Sequence, residues 1–155
     1  MCNAFRVFGT SALFLWVACL TPLPSVAADY TVRFGELRGP VDQRTVAPTR
    51  NIKFCVDSTG YGFGYEVVPQ IGGSYEYYTI FHIPAPVQTL KLKTSEVRAG
   101  GREIKTAPAR ASGRKVVGFR FSPGDPEGDW RIEIFVNSKL IDTISFKVAP
   151  AATCP

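Results

Sequence analysis

The clearest structural signal in the chain lies in residues 130–148, which read WRIEIFVNSKLIDTISFKV. Large apolar residues occupy every second position of its first half, at Trp130, Ile132, Ile134 and Val136. A period of two is that of a β-strand with one buried face. Because Asn137-Ser138-Lys139 then supplies turn residues, the segment predicts an antiparallel hairpin of strands 130–137 and 140–148.

The second strand of this hairpin contains one conflict. Strict alternation would place Asp142 on the same face as Ile144, Phe146 and Val148. An extra residue near Ile141 and Asp142 would shift the register by one position. The sequence therefore predicts a β-bulge there.

Trp130 is the largest side chain on the apolar face of the hairpin. We expect it in the core, against Val117, Phe119 and Ile144. Removing a buried aromatic ring of this kind costs roughly 3–5 kcal/mol of stability.

Similar apolar–polar alternation recurs through the rest of the chain, whereas helical spacing is interrupted everywhere by Gly or Pro. Further strands are predicted at residues 30–37, 51–57, 63–68, 75–83, 89–93, 102–106 and 115–121. The chain has 155 residues, with 14 Gly and 12 Pro to mark turns, which is room for one domain. We therefore predict an all-β protein with a single antiparallel β-sandwich; a small barrel is the alternative.

The first 28 residues have the pattern of a secretory signal peptide. An apolar run over residues 7–20 is followed by Thr21-Pro22-Leu23-Pro24 and by small residues up to Ala28. The run is too short to cross a bilayer as a helix. We expect cleavage after Ala28, a mature domain over residues 29–155, and a periplasmic or secreted protein. Lipoprotein anchoring at Cys19 is the minor alternative.

Cleavage would leave two cysteines, Cys55 and Cys154, and two cysteines in an exported protein most simply form one disulfide. Alternation places Phe54 and Val56 on the inner face, so the Cys55 thiol faces away from the core. Cys154 lies close enough to the C-terminus to fold back over that face. An intermolecular bridge through the terminal tail is the rival reading.

Several short segments resemble a known family. Residues 119–123 (FRFSP), 128–134 (GDWRIEI) and 146–148 (FKV) look like the closing strands of bacterial immunoglobulin-like domains. With FGYEV at 63–67 and HIPAP at 82–86, their order is similar to an exported family, domain-of-unknown-function family 3859. The resemblance covers nearly all of residues 29–155 and implies an immunoglobulin-like sandwich. The family is uncharacterised, so the resemblance carries no catalytic residue, and it does not include the cysteine pair.

The residue inventory gives little support to an enzyme. A hydrolase would need His82, the single histidine, joined to an acid such as Asp57 or Glu76 and to a hydroxyl. His82 lies at the end of an apolar strand, which favours a structural role. One His and two disulfide cysteines do not supply a zinc site. We expect no catalytic residue, no cofactor and no metal.

Three acidic residues, Asp125, Glu127 and Asp129, are spaced like ligands of a calcium loop. Pro126 lies between them and Pro123-Gly124 precedes them. This composition favours a turn between strands.

Tyrosines are concentrated in residues 61–78. If Tyr61, Tyr65, Tyr75 and Tyr77 were exposed and coplanar, they would make a carbohydrate-binding module that stacks on sugar rings. The alternative is that they form the inner wall of the sandwich, because aromatic residues also favour strands and cores.

Basic charge is concentrated in residues 91–120, which hold nine Lys and Arg against two Glu. Lys105, Arg110, Arg114 and Lys115 are the candidate anion-binding residues, because they flank or occupy a predicted flexible loop at 107–113 that contains no acid. We expect a non-enzymatic binding module with an unknown protein or envelope partner, which associates with anionic lipid or glycan; nucleic acid is not expected. A solvated loop that only aids solubility is the alternative.

Overall fold

The computed structural model of the chain describes residues 29–56, 61–87 and 95–154. The predicted signal peptide with Cys19, the predicted strand 89–93 and Asp57 lie outside these ranges. Within them the strands are β1 (Tyr30–Arg38), β2 (Thr45–Pro48), β3 (Asn51–Phe54), β4 (Phe63–Pro69), β5 (Ser74–His82), β6 (Ser95–Arg98), β7 (Glu103–Thr106), β8 (Ala109–Ser112), β9 (Lys115–Phe119), β10 (Gly128–Val136) and β11 (Lys139–Pro150). Two 3-10 turns cover Val41–Gln43 and Ala99–Gly101. No helix in the described part of the chain is long and apolar enough to cross a bilayer.

The strands form two sheets that pack face to face. Sheet A has the order β2-β1-β4-β9, and sheet B has the order β3-β11-β10-β5-β7-β6, with β8 also paired to β5. Inward residues of both sheets share one core; for example, the Phe34 ring of sheet A lies 4.7 Å from the Phe146 ring of sheet B. The predicted all-β sandwich is therefore confirmed.

The pairing is antiparallel throughout these strands except at one place. β3 runs parallel to β11, from Asn51 opposite Lys147 to Phe54 opposite Pro150. Parallel strands leave a sheet at the same end, so the residues that follow β3 and β11 emerge side by side. The predicted Cys55–Cys154 disulfide forms at that point, with 5.7 Å between the Cα atoms. It closes a loop with a sequence separation of 99 residues.

The predicted hairpin and bulge are both present. Asn137 and Ser138 have φ values of 48° and 64°, as in a type I′ turn, whose twist suits a two-residue hairpin. Ile134 pairs with Asp142 and Phe135 pairs with Leu140, which leaves Ile141 as the extra residue. Ile141 packs against the core, and Asp142, which still pairs with Ile134, is half-buried.

Trp130 is buried as predicted, with 5% of its surface exposed. Its aromatic neighbours add to the expected Val117, Phe119 and Ile144, which belong to or pack against the same core cluster. These aromatic neighbours are phenylalanines, at Phe63, Phe81, Phe121 and Phe146. The register of sheet B pairs Trp130 directly with Phe146.

Two of the strands that the sequence did not predict are short and weakly apolar. β2 ends in Pro48, and β8 reads ARAS, so neither shows a large residue at alternate positions. β8 lies within the segment 107–113 that the sequence predicted to be a loop. That prediction is wrong for Ala109–Ser112, because these four residues pair with the start of β5.

Candidate functional site

A cleft of about 990 Å³ opens between the two sheets, beside β9. Its wall is aromatic, formed by Phe63, Phe81, Phe119, Phe121 and Trp130. Its rim includes polar side chains, namely Ser95, Thr106, Arg120, Ser122 and Asp125. We call this space the aromatic cleft. Its volume is at the upper end of the range for small-molecule sites.

The aromatic cleft exists because the sheets have unequal width. Phe119 of β9 packs edge-on against Phe81 of β5, with 4.7 Å between the ring centroids. β9 is the last strand of sheet A, whereas sheet B continues past β5 through β7 and β6. Ile104 of β7, in sheet B, lines the cleft. No described strand of sheet A follows β9 to pack over it. Within the described residues, sheet A therefore does not extend over the part of sheet B beyond β5.

The rings in the wall hold one another in place. Phe63 stacks on Phe121 at 4.8 Å, and Trp130 meets Phe121 edge to face at 5.8 Å. The indole Nε1 of Trp130 donates a hydrogen bond to the carbonyl of Pro126, 2.9 Å away. With that group satisfied, the wall offers a ligand apolar contact in fixed geometry.

A tight turn forms one lip of the cleft. The amide of Ser122 donates to Asp125 Oδ2 at 2.8 Å, and the amide of Asp125 donates to the Ser122 carbonyl at 3.1 Å. Burial raises the pKa of Asp125 above its usual value, and the Ser122 hydrogen bond opposes the rise. This geometry agrees with the turn predicted for this acidic stretch. The described residues contain no group of three or more His, Cys, Asp or Glu that could hold a metal ion.

Three of the four candidate tyrosines are in the interior, so they do not meet the condition of exposure that a carbohydrate-binding face requires. Tyr61, Tyr65 and Tyr75 are 5%, 0% and 4% exposed. Tyr77 is half-buried. The inner-wall alternative is therefore correct for these three residues, and they do not form an exposed platform for sugar rings.

Each of the three buried hydroxyls has a partner. Tyr65 shares a hydrogen bond of 2.7 Å with the Thr79 hydroxyl. Tyr61 donates to Glu36 Oε1 at 3.1 Å and accepts from the Lys53 amide at 2.9 Å. Burial raises the pKa of Tyr61 to about 12, opposed by the Lys53 hydrogen bond and reinforced by the Glu36 carboxylate. Burial likewise raises the pKa of Tyr65. The Tyr75 hydroxyl donates to a backbone carbonyl.

The four candidate anion-binding residues do not share one loop. The Lys105 Nζ lies 4.7 Å from the centre of the Tyr78 ring. Arg114 forms an ion pair with Glu66, a carboxylate in β4 whose side chain is only 8% exposed. Arg110 and Lys115 are exposed. Although the predicted loop contains no acid, Arg114 beside it is neutralised by a partner from a strand far away in the sequence.

Arginines do converge on the outer face of sheet A. Arg33 lies 4.0 Å from the same Glu66 carboxylate that holds Arg114. Arg114 also donates to the carbonyl of Arg44 at 3.0 Å. The Arg44 guanidinium lies across Gly118, 3.1 Å from where a Cβ atom would stand. We call Arg33, Arg44 and Arg114 the arginine face. Sequence reasoning missed Arg33 and Arg44, which lie far in sequence from the basic stretch.

Glycines form the floor of this face. A Cβ atom on Gly64 would overlap the carbonyl oxygen of Val117, and one on Gly118 would lie 2.7 Å from a methyl group of Leu37. The absence of side chains lets Leu37 and Arg44 lie flat against the sheet, so Leu37 is only 6% exposed although it is on the outer side.

His82 lies on sheet B, across the core from the arginine face of sheet A, in a row of charged residues. The register aligns Arg131, His82, Glu103 and Arg98 across four strands. The buried Nε2 atom of His82 lies 3.1 Å from Glu133 Oε1, but the two atoms do not have the angles of a hydrogen bond. His82 does not line the aromatic cleft. Glu76 pairs across the strands with Arg110, so the described residues do not join it to His82.

The family comparison agrees with this architecture. The family that matches is described as the PM0630 beta sandwich domain, over residues 32–149, and the chain belongs to it. No curated protein matches in sequence. A solved immunoglobulin-like protein from Pseudomonas aeruginosa is similar over 81% of this chain and 100% of its own, with 14% identity and a TM-score of 0.44. An alkylpurine DNA glycosylase from Pseudomonas fluorescens, solved with abasic-site DNA, is similar over 80% of this chain and 31% of its own, with 9% identity and a TM-score of 0.37.

Proposed function

We propose that this member of the PM0630 beta sandwich domain family is an exported, non-enzymatic binding module, and that its ligand site is the aromatic cleft. The observation that carries the proposal is a cleft of about 990 Å³ with aromatic side chains in its lining, of which Phe119 is half-buried and the rings behind it are almost fully buried. The sequence motifs support the finer assignment to the immunoglobulin-like domains of domain-of-unknown-function family 3859.

The energetics favour a ligand at this place. Removing apolar surface from water contributes about 25 cal/mol for each Å², so an occupant that buries 100 Å² of apolar surface, its own included, gains about 2.5 kcal/mol. The wall is already ordered by ring contacts, so binding costs little side-chain entropy. An apolar concavity with a few polar groups at its rim is the usual form of a binding site.

Titration with a hydrophobic fluorescent dye such as anilinonaphthalene sulfonate tests the site. We expect saturable binding to the natively folded protein. Ala109→Phe adds a ring at the cleft and should weaken dye binding at least tenfold. Ser145→Phe adds the same ring at an exposed position of β11 that does not line the cleft, and it should leave binding unchanged. Equal dye binding by both variants would place the dye elsewhere and contradict the proposal.

Export itself has a direct test. Mass spectrometry of the protein recovered from the producing cell should find an N-terminus at Asp29 if the signal peptide is cleaved after Ala28. A lipid-modified N-terminus at Cys19 would support the anchored alternative.

A second function, association with an anionic envelope surface, is supported by the arginine face. Arg33 and Arg114 flank the Glu66 carboxylate, and the Arg44 guanidinium lies over Gly118 on the same face, so these four side chains carry a net positive charge. Arg110 and Lys115, from the basic stretch, add exposed charge. Each cation near an anionic membrane contributes about 1 kcal/mol, and salt weakens the attraction.

Vesicle sedimentation tests this second function. The protein should bind phosphatidylglycerol vesicles at low salt and not neutral phosphatidylcholine vesicles. The double variant Arg33→Gln/Arg44→Gln should lose most of this binding. The variant Arg98→Gln/Arg131→Gln, which removes the same charge from sheet B, should retain it. If the sheet B variant loses as much binding as the first, the arginine face is not the surface that binds.

A further inference from the structure

The edge strands of the two sheets differ in how they are protected against pairing with a further strand. β2 contains Pro48, β3 is followed by the disulfide at Cys55, and β6 carries Glu96 and Arg98 in an ion pair of 2.6 Å. Prolines, charges and short strands are the devices by which proteins protect exposed sheet edges. β9 (Lys115–Phe119) has neither proline nor charge after its first residue. It is the least protected of these four edges.

β9 is also the edge that borders the aromatic cleft. It pairs with β4 from Lys115 opposite Val67 to Phe119 opposite Phe63, and no described strand pairs with its other side. Alternate residues of an edge strand turn their N–H and C=O groups outward. Here those groups lie beside the opening that leads to the aromatic wall.

From these two observations we propose that β9 accepts an extended segment of a partner polypeptide as an added strand, with alternate apolar side chains of that segment filling the aromatic cleft. The proposal rests on the proposed function of the cleft and names its ligand class. Main-chain hydrogen bonds would supply affinity, and the cleft would select the side chains.

The register indicates what such a segment needs. Val117 and Phe119 face the core, whereas Val116 and Gly118 face outward. A segment that matches the five residues of β9 spans roughly 17 Å, at about 3.4 Å per residue. Its alternate inward positions require large apolar side chains, and its outward positions tolerate polar ones.

Charge and hydrogen bonding identify the occupant as a polypeptide with acidic flanks. Lys115 begins β9 and Arg120 follows its end, whereas Asp125 is the one acid among the described residues that line the cleft. Acidic residues on either side of the apolar segment would complement this charge. An acyl chain could occupy the cleft, but it would leave the backbone groups of β9 without partners.

Synthetic peptides test the added strand. The probe is Glu-Leu-Thr-Val-Thr-Leu-Glu, and its binding to the whole protein is measured by calorimetry. Two further peptides have the same sequence with N-methyl groups on every second backbone amide. One carries them on the odd-numbered amides and the other on the even-numbered amides. We expect one version to bind at least tenfold more weakly than the probe and the other to bind within twofold, because only one set of amides faces β9. Ala109→Phe should weaken binding of the probe, and Ser145→Phe should not.

The outcomes separate this proposal from the one on which it rests. If the dye binds the cleft but the probe does not, or if both methylated peptides bind as the probe does, the added strand is wrong and the cleft remains a ligand site. If laurate displaces the dye and the peptide probe does not, the cleft binds acyl chains, and the added-strand proposal is overturned in this case too. If neither dye nor probe binds, both proposals fail. If binding occurs only in the variant Leu90→Asp/Leu92→Asp, the cleft serves the chain's own residues 88–94 and the partner strand is excluded.

Discussion

The two sides of the sandwich are built from the same kinds of residue and end differently. On one side, Phe34 of β1 packs against Phe146 of β11, and β3 with its disulfide completes the edge. On the other side, Phe119 packs against Phe81, but sheet A stops at β9 while sheet B continues. We call these the closed side and the open side. Aromatic residues facing inward close a core only where both sheets extend equally far.

The largest expected effect comes from opening the closed side. Cys55→Ala/Cys154→Ala removes a cross-link across 99 residues, which chain-entropy theory values at about 4–5 kcal/mol. Urea unfolding of this variant and of the wild type should show a loss of that size, and reduction should have the same effect on the wild type only. Dye binding at the open side should persist below the unfolding transition. Equal stability of the two proteins would contradict a structural role for the disulfide.

A matched pair of phenylalanine truncations compares the two sides directly. Phe34 is 5% exposed, so Phe34→Ala should leave a closed cavity and cost about 4 kcal/mol. Phe119 is only half-buried and lines the cleft, so Phe119→Ala should cost about 1–2 kcal/mol and enlarge the cleft. Calorimetric melting measures both. A larger loss for Phe119→Ala would mean that the open side is packed as tightly as the closed one.

A smaller effect is expected from the polar pair within the core. Tyr65→Phe removes one partner of the 2.7 Å hydrogen bond to Thr79 and leaves a buried hydroxyl unpaired, at a cost of about 1–2 kcal/mol. The variant Tyr65→Phe/Thr79→Val removes both partners and should recover part of the loss. A loss in the double variant equal to the sum of the two single losses would show that this hydrogen bond does not couple the residues.

The smallest effect is a dependence on pH near Tyr61. Its pKa is about 12 in the folded protein against the usual 10, so the unfolded state loses the proton first as pH rises. Below pH 10 both states keep the proton and stability is unaffected by this group. Above pH 10 stability should fall until pH reaches the folded pKa. Urea unfolding at pH 8, 10 and 11 should show a shallower fall for Tyr61→Phe than for the wild type, and parallel curves would refute the assignment.

The closed side was more predictable than the open side, for physical reasons. The hairpin at 130–148 and its bulge follow from local alternation, and the disulfide follows from the number of cysteines. Alternation in β4 groups Phe63 with Tyr65 but does not say which face is the inner one, so the exposure of the tyrosines was not fixed. The aromatic cleft depends on where sheet A stops relative to sheet B, which is decided by pairing between distant segments. No local pattern reports it.

Arg114 shows the same limit at the surface. Its neighbours in sequence contain no acid, yet it pairs with Glu66, which is 48 residues away along the chain. Residue composition identified the basic stretch, but only the pairing of β9 with β4 determines which of its charges are neutralised.

The parallel pairing of β3 with β11 also sets an order of assembly. A chain that emerges from the ribosome N-terminus first presents β3 long before β11, its only partner within the described sheets. β3 must therefore wait until the last strand has emerged, and contacts between such distant segments form slowly because a long loop must close first. Covalent locking at Cys154 comes later still. The closed side of the sandwich therefore remains incomplete until β11 and Cys154 have both been synthesised.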